Sequence, residues 1–190
     1  MHAPPPRFPT RSRRVGGASW HARRTPAWAF GVVLALLVAG CGSGAPVRQG
    51  ATPAPEDVST LNELVVRVNE ARAEGRDCGS RGWFDAAPPL RSEPRLMGVA
   101  QAHSEDQQAR GVMSHRGSDG SSPSQRVSDA GYVWRTVGEN VAWGYPSAAS
   151  VLDGWLGSPG HCANLMNPAF EDLGVGRAGG YWTQVFAAPR

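Results

Sequence analysis

One thirteen-residue apolar run, Ala27 to Ala39 (AWAFGVVLALLVA), preceded by Arg23 and Arg24, decides how much of this chain can fold as a globular domain. A helix that spans a bilayer needs about 20 apolar residues. A run of this length behind basic residues is the core of a signal peptide. The foldable part of the 190-residue chain then lies downstream of the run and is enough for one modest domain. The leader also distorts the charge balance. Arg7, Arg11, Arg13, Arg14, Arg23 and Arg24 precede residue 41 with no Asp or Glu among them, and without them 13 Arg face 16 acids, a balance of −3. A sequence pI of 9.1 therefore does not describe the domain, which lacks the basic face that nucleic-acid binding requires.

The apolar run ends in Val38, Ala39, Gly40 and Cys41, a stretch that resembles the bacterial lipobox, in which the cysteine is lipidated and becomes the first mature residue. The expected organisation is a lipoprotein signal peptide over 1–40, a lipidated flexible linker over 41–57 and a folded domain over 58–190. The linker is rich in Gly, Ser, Ala and Pro and has too little apolar surface to order itself. More than one acyl chain on Cys41 would make attachment stable, and Arg13 with Arg14 admits a twin-arginine export route. The expected location is outside the cytoplasm on a bacterial envelope. Gly42 carries no sign of inner-membrane retention, so the outer membrane is the expected address where the cell has one, and the cell surface otherwise. With Cys41 lipidated, Cys78 and Cys162 remain as an even pair in an oxidising compartment, the setting for a disulfide. Such a bond contributes about 2–5 kcal/mol and leaves no thiol nucleophile beside His161.

Within the domain, Thr60 and Glu63 form a capping-box pattern ahead of Leu61, Leu64, Val65 and Val68 at helical spacing, which predicts a first helix running toward Gly75. A second helix opens at Ser92 and carries Leu96, Val99, Ala100 and His103 on one face until Gly111, so His103 is expected in the core. Pro123 to Ala130 predicts a short third helix, and Ala148, Val151, Leu152 and Trp155 a fourth, broken by Pro159. Strands come late: Gly138 to Trp143, then a hairpin of Leu173–Val175 and Tyr181–Ala187 turning at Ala178, Gly179 and Gly180. The class is α+β, with a small antiparallel sheet covered by helices. Trp143, Trp155, Trp182 and Phe186 are expected in the core, and Ser118, Asp119, Gly120 in a turn.

The chemistry concentrates on two histidines in Gly- and Ser-rich contexts, His115 and His161, and on Glu139, a carboxylate flanked by apolar residues. A carboxylate in such surroundings needs a partner, and histidine or a metal would serve.

Around these positions the sequence resembles the CAP superfamily, the SCP domain of cysteine-rich secretory, antigen 5 and pathogenesis-related proteins, and in particular its short bacterial members. The matching pieces run in order from the His115 turn with Asp119 to Ser122, through Gly138-Glu139-Asn140-Val141-Ala142, Trp155 with Ser158 to His161, and Asn164 to Pro168, to Gly174-Val175-Gly176 and Tyr181 to Gln184. The resemblance implies a three-layer α-β-α sandwich whose cleft is lined by two His and two Glu, the histidines able to hold zinc or a similar divalent ion. His115 and His161 match the histidines and Glu139 one glutamate. The second glutamate is absent, since Leu156, Gly157 and Ser158 follow Trp155.

Two imidazoles with a carboxylate or water leave an open position on a tetrahedral zinc, which lowers the pKa of bound water to about 7. Three functions are open on this basis. The first is an exported binding domain, monomeric, whose His115, Glu139, His161 cleft takes a divalent metal and which binds a cell-envelope component or a small lipid. The second is a zinc-dependent hydrolase of peptide or cell-wall bonds with Glu139 as its catalytic residue, although neither an HExxH helix nor a GxSxG elbow is present. The third is a structural or protein-interaction domain with an inert triad.

Overall fold

In the computed structural model, the described residues are 55–190. The expected leader, the expected lipidation site Cys41 and most of the expected linker over 41–57 lie outside them. The order of elements is α1 (Pro55–Arg72), β1 (Arg76–Asp77), β2 (Trp83–Phe84), β3 (Arg91–Ser92), α2 (Pro94–Arg110), α3 (Pro123–Asp129), β4 (Trp134–Trp143), α4 (Ala148–Leu156), α5 (Pro159–Met166), β5 (Asp172–Ala178) and β6 (Tyr181–Pro189). The four-stranded sheet runs β3-β5-β6-β4. It is antiparallel apart from the two-residue β3, which pairs parallel to β5, a departure from the purely antiparallel sheet that the sequence suggests.

Strand alternation gives the sheet two buried faces. Leu173, Val175, Trp182 and Phe186 project into a core completed by Leu61, Leu64 and Val68 of α1, Trp155 of α4 and Leu165 of α5. On the opposite face Val185 and Ala187 meet Leu96, Val99 and Ala100 of α2 and Val127 of α3. Helices on both faces of one sheet make the three layers that the resemblance implies. On the α2 face, Gly174 and Gly176 let the helix settle onto β5. A Cβ on Gly174 would sit 2.1 Å from the Leu96 carbonyl, and one on Gly176 2.4 Å from the Ala100 backbone. On the other face Gly138 makes room for the Phe170 ring, which stacks on Phe186 at 5.4 Å.

Helix ends follow local chemistry where that chemistry is strong. Ser122 caps α3 by accepting from the Gln125 N–H, and α2 stops at Gly111 with φ of 66°. Elsewhere the boundaries differ from expectation. Helix α1 begins at Pro55, so Thr60 and Glu63 lie inside it rather than at a capping box, and Glu63 instead pairs with Arg67 at 2.7 Å. Glu93, not Ser92, caps α2. Pro159 does more than end α4: it starts α5 as a first-turn proline, which places His161 on a helix and not in a loop. Trp155, Trp182 and Phe186 are core residues, but Trp143 is 62% exposed, because it stands at the last position of an edge strand.

Two long-range ties fix α5. Cys78 is disulfide-bonded to Cys162 across a sequence separation of 84. Arg72, fully buried at the end of α1, donates to the carbonyls of Pro88, Leu165 and Asn167, with no carboxylate in the set. Burial pushes its pKa down to about 10.

Candidate functional site

Strand β4 sits at the edge of the sheet, and its period of two sends Glu139 and Asn140 to opposite faces. Glu139 lies opposite Val185 in the register and so faces α2 and α3, whereas Asn140, opposite Gln184, faces α5. Each anchors one of the two histidine-bearing segments.

On the α2 and α3 side, the Glu139 side chain is 2% exposed and both oxygens are engaged. Oε1 accepts from His115 Nδ1 at 2.8 Å, and Oε2 from Arg126 Nη2 at 2.6 Å. Arg126 reaches Glu139 from α3 and also donates through Nη1 to the carbonyls of His115 and Ser121, so one guanidinium ties the His115 segment to the strand. The segment is a tight turn: Gly117 N–H donates to the Ser121 carbonyl and Gly120 has φ of 82°. This is the turn expected at Ser118-Asp119-Gly120. His103 is in the core as expected, with Nε2 donating to the Ser114 carbonyl at 2.7 Å and 3.9 Å from Glu139 Oε1, and with Nδ1 buried without a partner.

On the α5 side, Asn140 Nδ2 donates to the His161 carbonyl and to Gln184 Oε1, and Asn164 Nδ2 donates to Asn140 Oδ1 and to the Glu139 carbonyl. Trp155 Nε1 caps the carbonyl of Val141. These side chains satisfy outer-edge carbonyls of β4 that a further strand would otherwise pair with.

The electrostatics follow from this placement. The hydrogen bond from His115 to Glu139, with the attraction of the carboxylate behind it, holds the His115 pKa above the usual histidine value. A carboxylate acceptor fixes the proton on Nδ1, which leaves Nε2 as the basic nitrogen of the neutral ring. Burial, with the nearby His115 charge, pushes His161 below the usual value. Burial also lowers His103.

Of the three side chains expected to converge, Glu139 and His115 meet directly. His161 is fixed through its backbone on the other face of the strand and feels His115 electrostatically. Among the described residues no group of three His, Cys, Asp or Glu side chains is arranged to hold a metal ion. Glu139, with a cation on one oxygen and a histidine donor on the other, fits the role of a carboxylate behind a ligand better than that of a ligand. The imidazoles at this edge are those of His115 and His161, which interact electrostatically. Arg126 was not visible from the sequence. Its only local signal is its place in a capped helix shortly before the Gly138-Glu139-Asn140 block.

The chain matches the CAP family, described as the cysteine-rich secretory protein family, over residues 67–186. It is 31% identical over 137 residues to the uncharacterized protein YkwD of Bacillus subtilis, a match that covers 71% of this chain and 50% of that protein. A crystal structure of an extracellular protein containing an SCP domain from Bacillus anthracis superposes with a TM-score of 0.61 at 26% identity, over 72% of this chain and 44% of that one. An outer surface protein of Borrelia burgdorferi shares the fold, with a TM-score of 0.57 at 18% identity over 73% of this chain and 97% of that one. This chain thus spans about half the length of the two Bacillus proteins and nearly all of the Borrelia one.

Proposed function

The chain belongs to the CAP family, and from that premise we propose that it is an exported binding domain, tethered to the envelope through Cys41, whose His115 and His161 take a divalent ion such as zinc. The observation that carries the metal part is the bond from His115 Nδ1 to Glu139 Oε1 at 2.8 Å. A carboxylate behind an imidazole orients the ring, fixes its tautomer and raises its basicity toward a metal. Zinc held there would polarise and acidify bound water. Glu139 is a poor general base, since it is buried, paired with Arg126 and already accepting from His115, and this favours a binding domain over a hydrolase. Support for export comes from the leader and from relatives described as extracellular or outer-surface proteins. No helix among the described residues is long and apolar enough to cross a membrane.

Zinc titration of the purified protein after chelation tests the metal reading. His115→Ala and His161→Ala should each weaken binding at least tenfold, and Glu139→Gln by about 10- to 100-fold, the range for loss of a carboxylate behind a ligand. Equal affinities across the set would remove the metal. Membrane fractionation of a Cys41→Ser variant tests the tether, with release into the soluble fraction as the expected result. The small-lipid reading draws on a different place, an apolar groove of about 240 Å³ between α1 and α2 lined by Val58, Leu61, Met97 and Val175. Fatty-acid binding that Val58→Asp abolishes would locate the lipid there.

A further inference from the structure

Trp143 is a large aromatic residue left in water at the end of β4, and its position is braced rather than loose. Its ring lies 6.2 Å from that of Tyr181, tilted by 42°. Trp143 and Met113, 62% and 52% exposed, line an open groove of about 250 Å³ whose other walls include Tyr145, buried Trp155, Ser158 and His161. The groove therefore has an apolar wall at its mouth and an imidazole with a hydroxyl beside it. No Asp, Glu, Lys or Arg lines it.

Each feature narrows the occupant. A lining without formal charge does not select a phosphate, a carboxylate or an ammonium group, because such a ligand would give up hydration and gain no ionic partner. A hydrocarbon chain gains most where it is enclosed, whereas this groove is open and carries polar groups. A protein partner needs about 800 Å² of surface on each side, and the groove offers a patch centred on two side chains. What remains is a small, uncharged molecule with one apolar face and several hydroxyls. Such a molecule stacks its C–H face on an indole, and its hydroxyls match the donor and acceptor of a neutral imidazole and the hydroxyl of Ser158. We propose that this groove is a saccharide subsite that holds one uncharged pyranose ring of an envelope glycan against Trp143. The inference rests on reading this edge as a ligand site, but it does not require a bound metal.

The test is titration of the purified protein with a soluble β-1,4-linked N-acetylglucosamine trimer, in chelator, followed by amide and indole NMR. The indole N–H of Trp143 should shift on binding, Trp143→Ala should weaken affinity at least tenfold, and Trp143→Phe should retain part of it. All variants should keep the native unfolding midpoint, because the side chain is exposed. A shift of signals away from Trp143, equal affinity in Trp143→Ala, or no binding of the trimer would each overturn the proposal. Zinc titration of Trp143→Ala keeps the two readings apart: undiminished zinc binding with lost trimer binding supports the subsite, whereas trimer binding unaffected by Trp143→Ala defeats it whatever zinc does.

Discussion

Arg126 Nη2 donates to Glu139 Oε2 at 2.6 Å, joining α3 to the edge strand behind His115. The carboxylate so held has an imidazole on its other oxygen, and the same guanidinium grips the carbonyl of His115. The histidine is thus positioned twice, once through its ring and once through its backbone.

Removing the centre of this cluster should be costly. Glu139→Ala leaves a mostly buried guanidinium without its counter-charge, and breaking such a pair costs about 3–5 kcal/mol. Glu139→Gln, which keeps the shape and an acceptor, should cost less while still lowering the His115 pKa. Urea unfolding and a His115 titration by NMR check both. A His115 midpoint unchanged in Glu139→Gln would show that the 2.8 Å bond does not govern the ring.

Acid should destabilise the fold through His103. Its folded pKa lies below the ordinary 6.5 because burial opposes the charge, so the unfolded chain takes up the proton first. Stability is then lost as pH falls below 6.5, by at most about 1.4 kcal/mol per pH unit for this residue. His161 is lowered too and acts in the same direction. His115 has the opposite sign: its pKa is raised, so its contribution is full below 6.5 and fades as pH rises through the folded value. Unfolding midpoints between about pH 7.5 and 5 should fall less steeply in His103→Gln than in the parent, and parallel curves would refute the assignment.

Loss of the disulfide should loosen the α5 end of the site. Closing a loop of this separation stabilises by about 2–5 kcal/mol. Reduction, or the double replacement of Cys78 and Cys162 by Ala, should lower the unfolding midpoint accordingly. Hydrogen exchange should rise first in α5, where His161 sits, and uniform protection there would contradict the placement.

Packing of α2 on β5 leaves no room for a methyl group. A Cβ at Gly174 would lie 2.1 Å from backbone atoms that cannot swing away, so Gly174→Ala should destabilise by about 1–3 kcal/mol or more. Gly98→Ala on α2, where a Cβ meets nothing within 4 Å, is the control and should be near neutral or stabilising. Equal unfolding midpoints for the two variants would show that the helix can lift off the strand.

Much of the fold is legible because its signals are local. Ser122 before Pro123, Gly111 after Arg110 and the turn at Gly179 each act within a few residues, and α3, the end of α2 and the β5–β6 hairpin fall where those signals put them. Misreadings arise where a local signal has two outcomes. Pro159 ends one helix and starts the next, and the Thr60–Glu63 pattern looks the same inside a helix as at its start. Trp143 is aromatic like its core counterparts, but exposure depends on which end of which strand a residue occupies.

The order of residues alone determined the family pattern and the layered class, and it singled out His115, Glu139 and His161 as candidates. It could also indicate the pairing of Cys78 with Cys162, because only two cysteines remained once Cys41 was assigned to the lipid. Only the tertiary structure decided who holds whom. Glu139 turns toward His115 and Arg126 because strand alternation and the β4–β6 register point it at α2 and α3, and Asn140, one residue later, takes the His161 side. Register and helix packing are set by the whole core, so no spacing between neighbours along the chain encodes them.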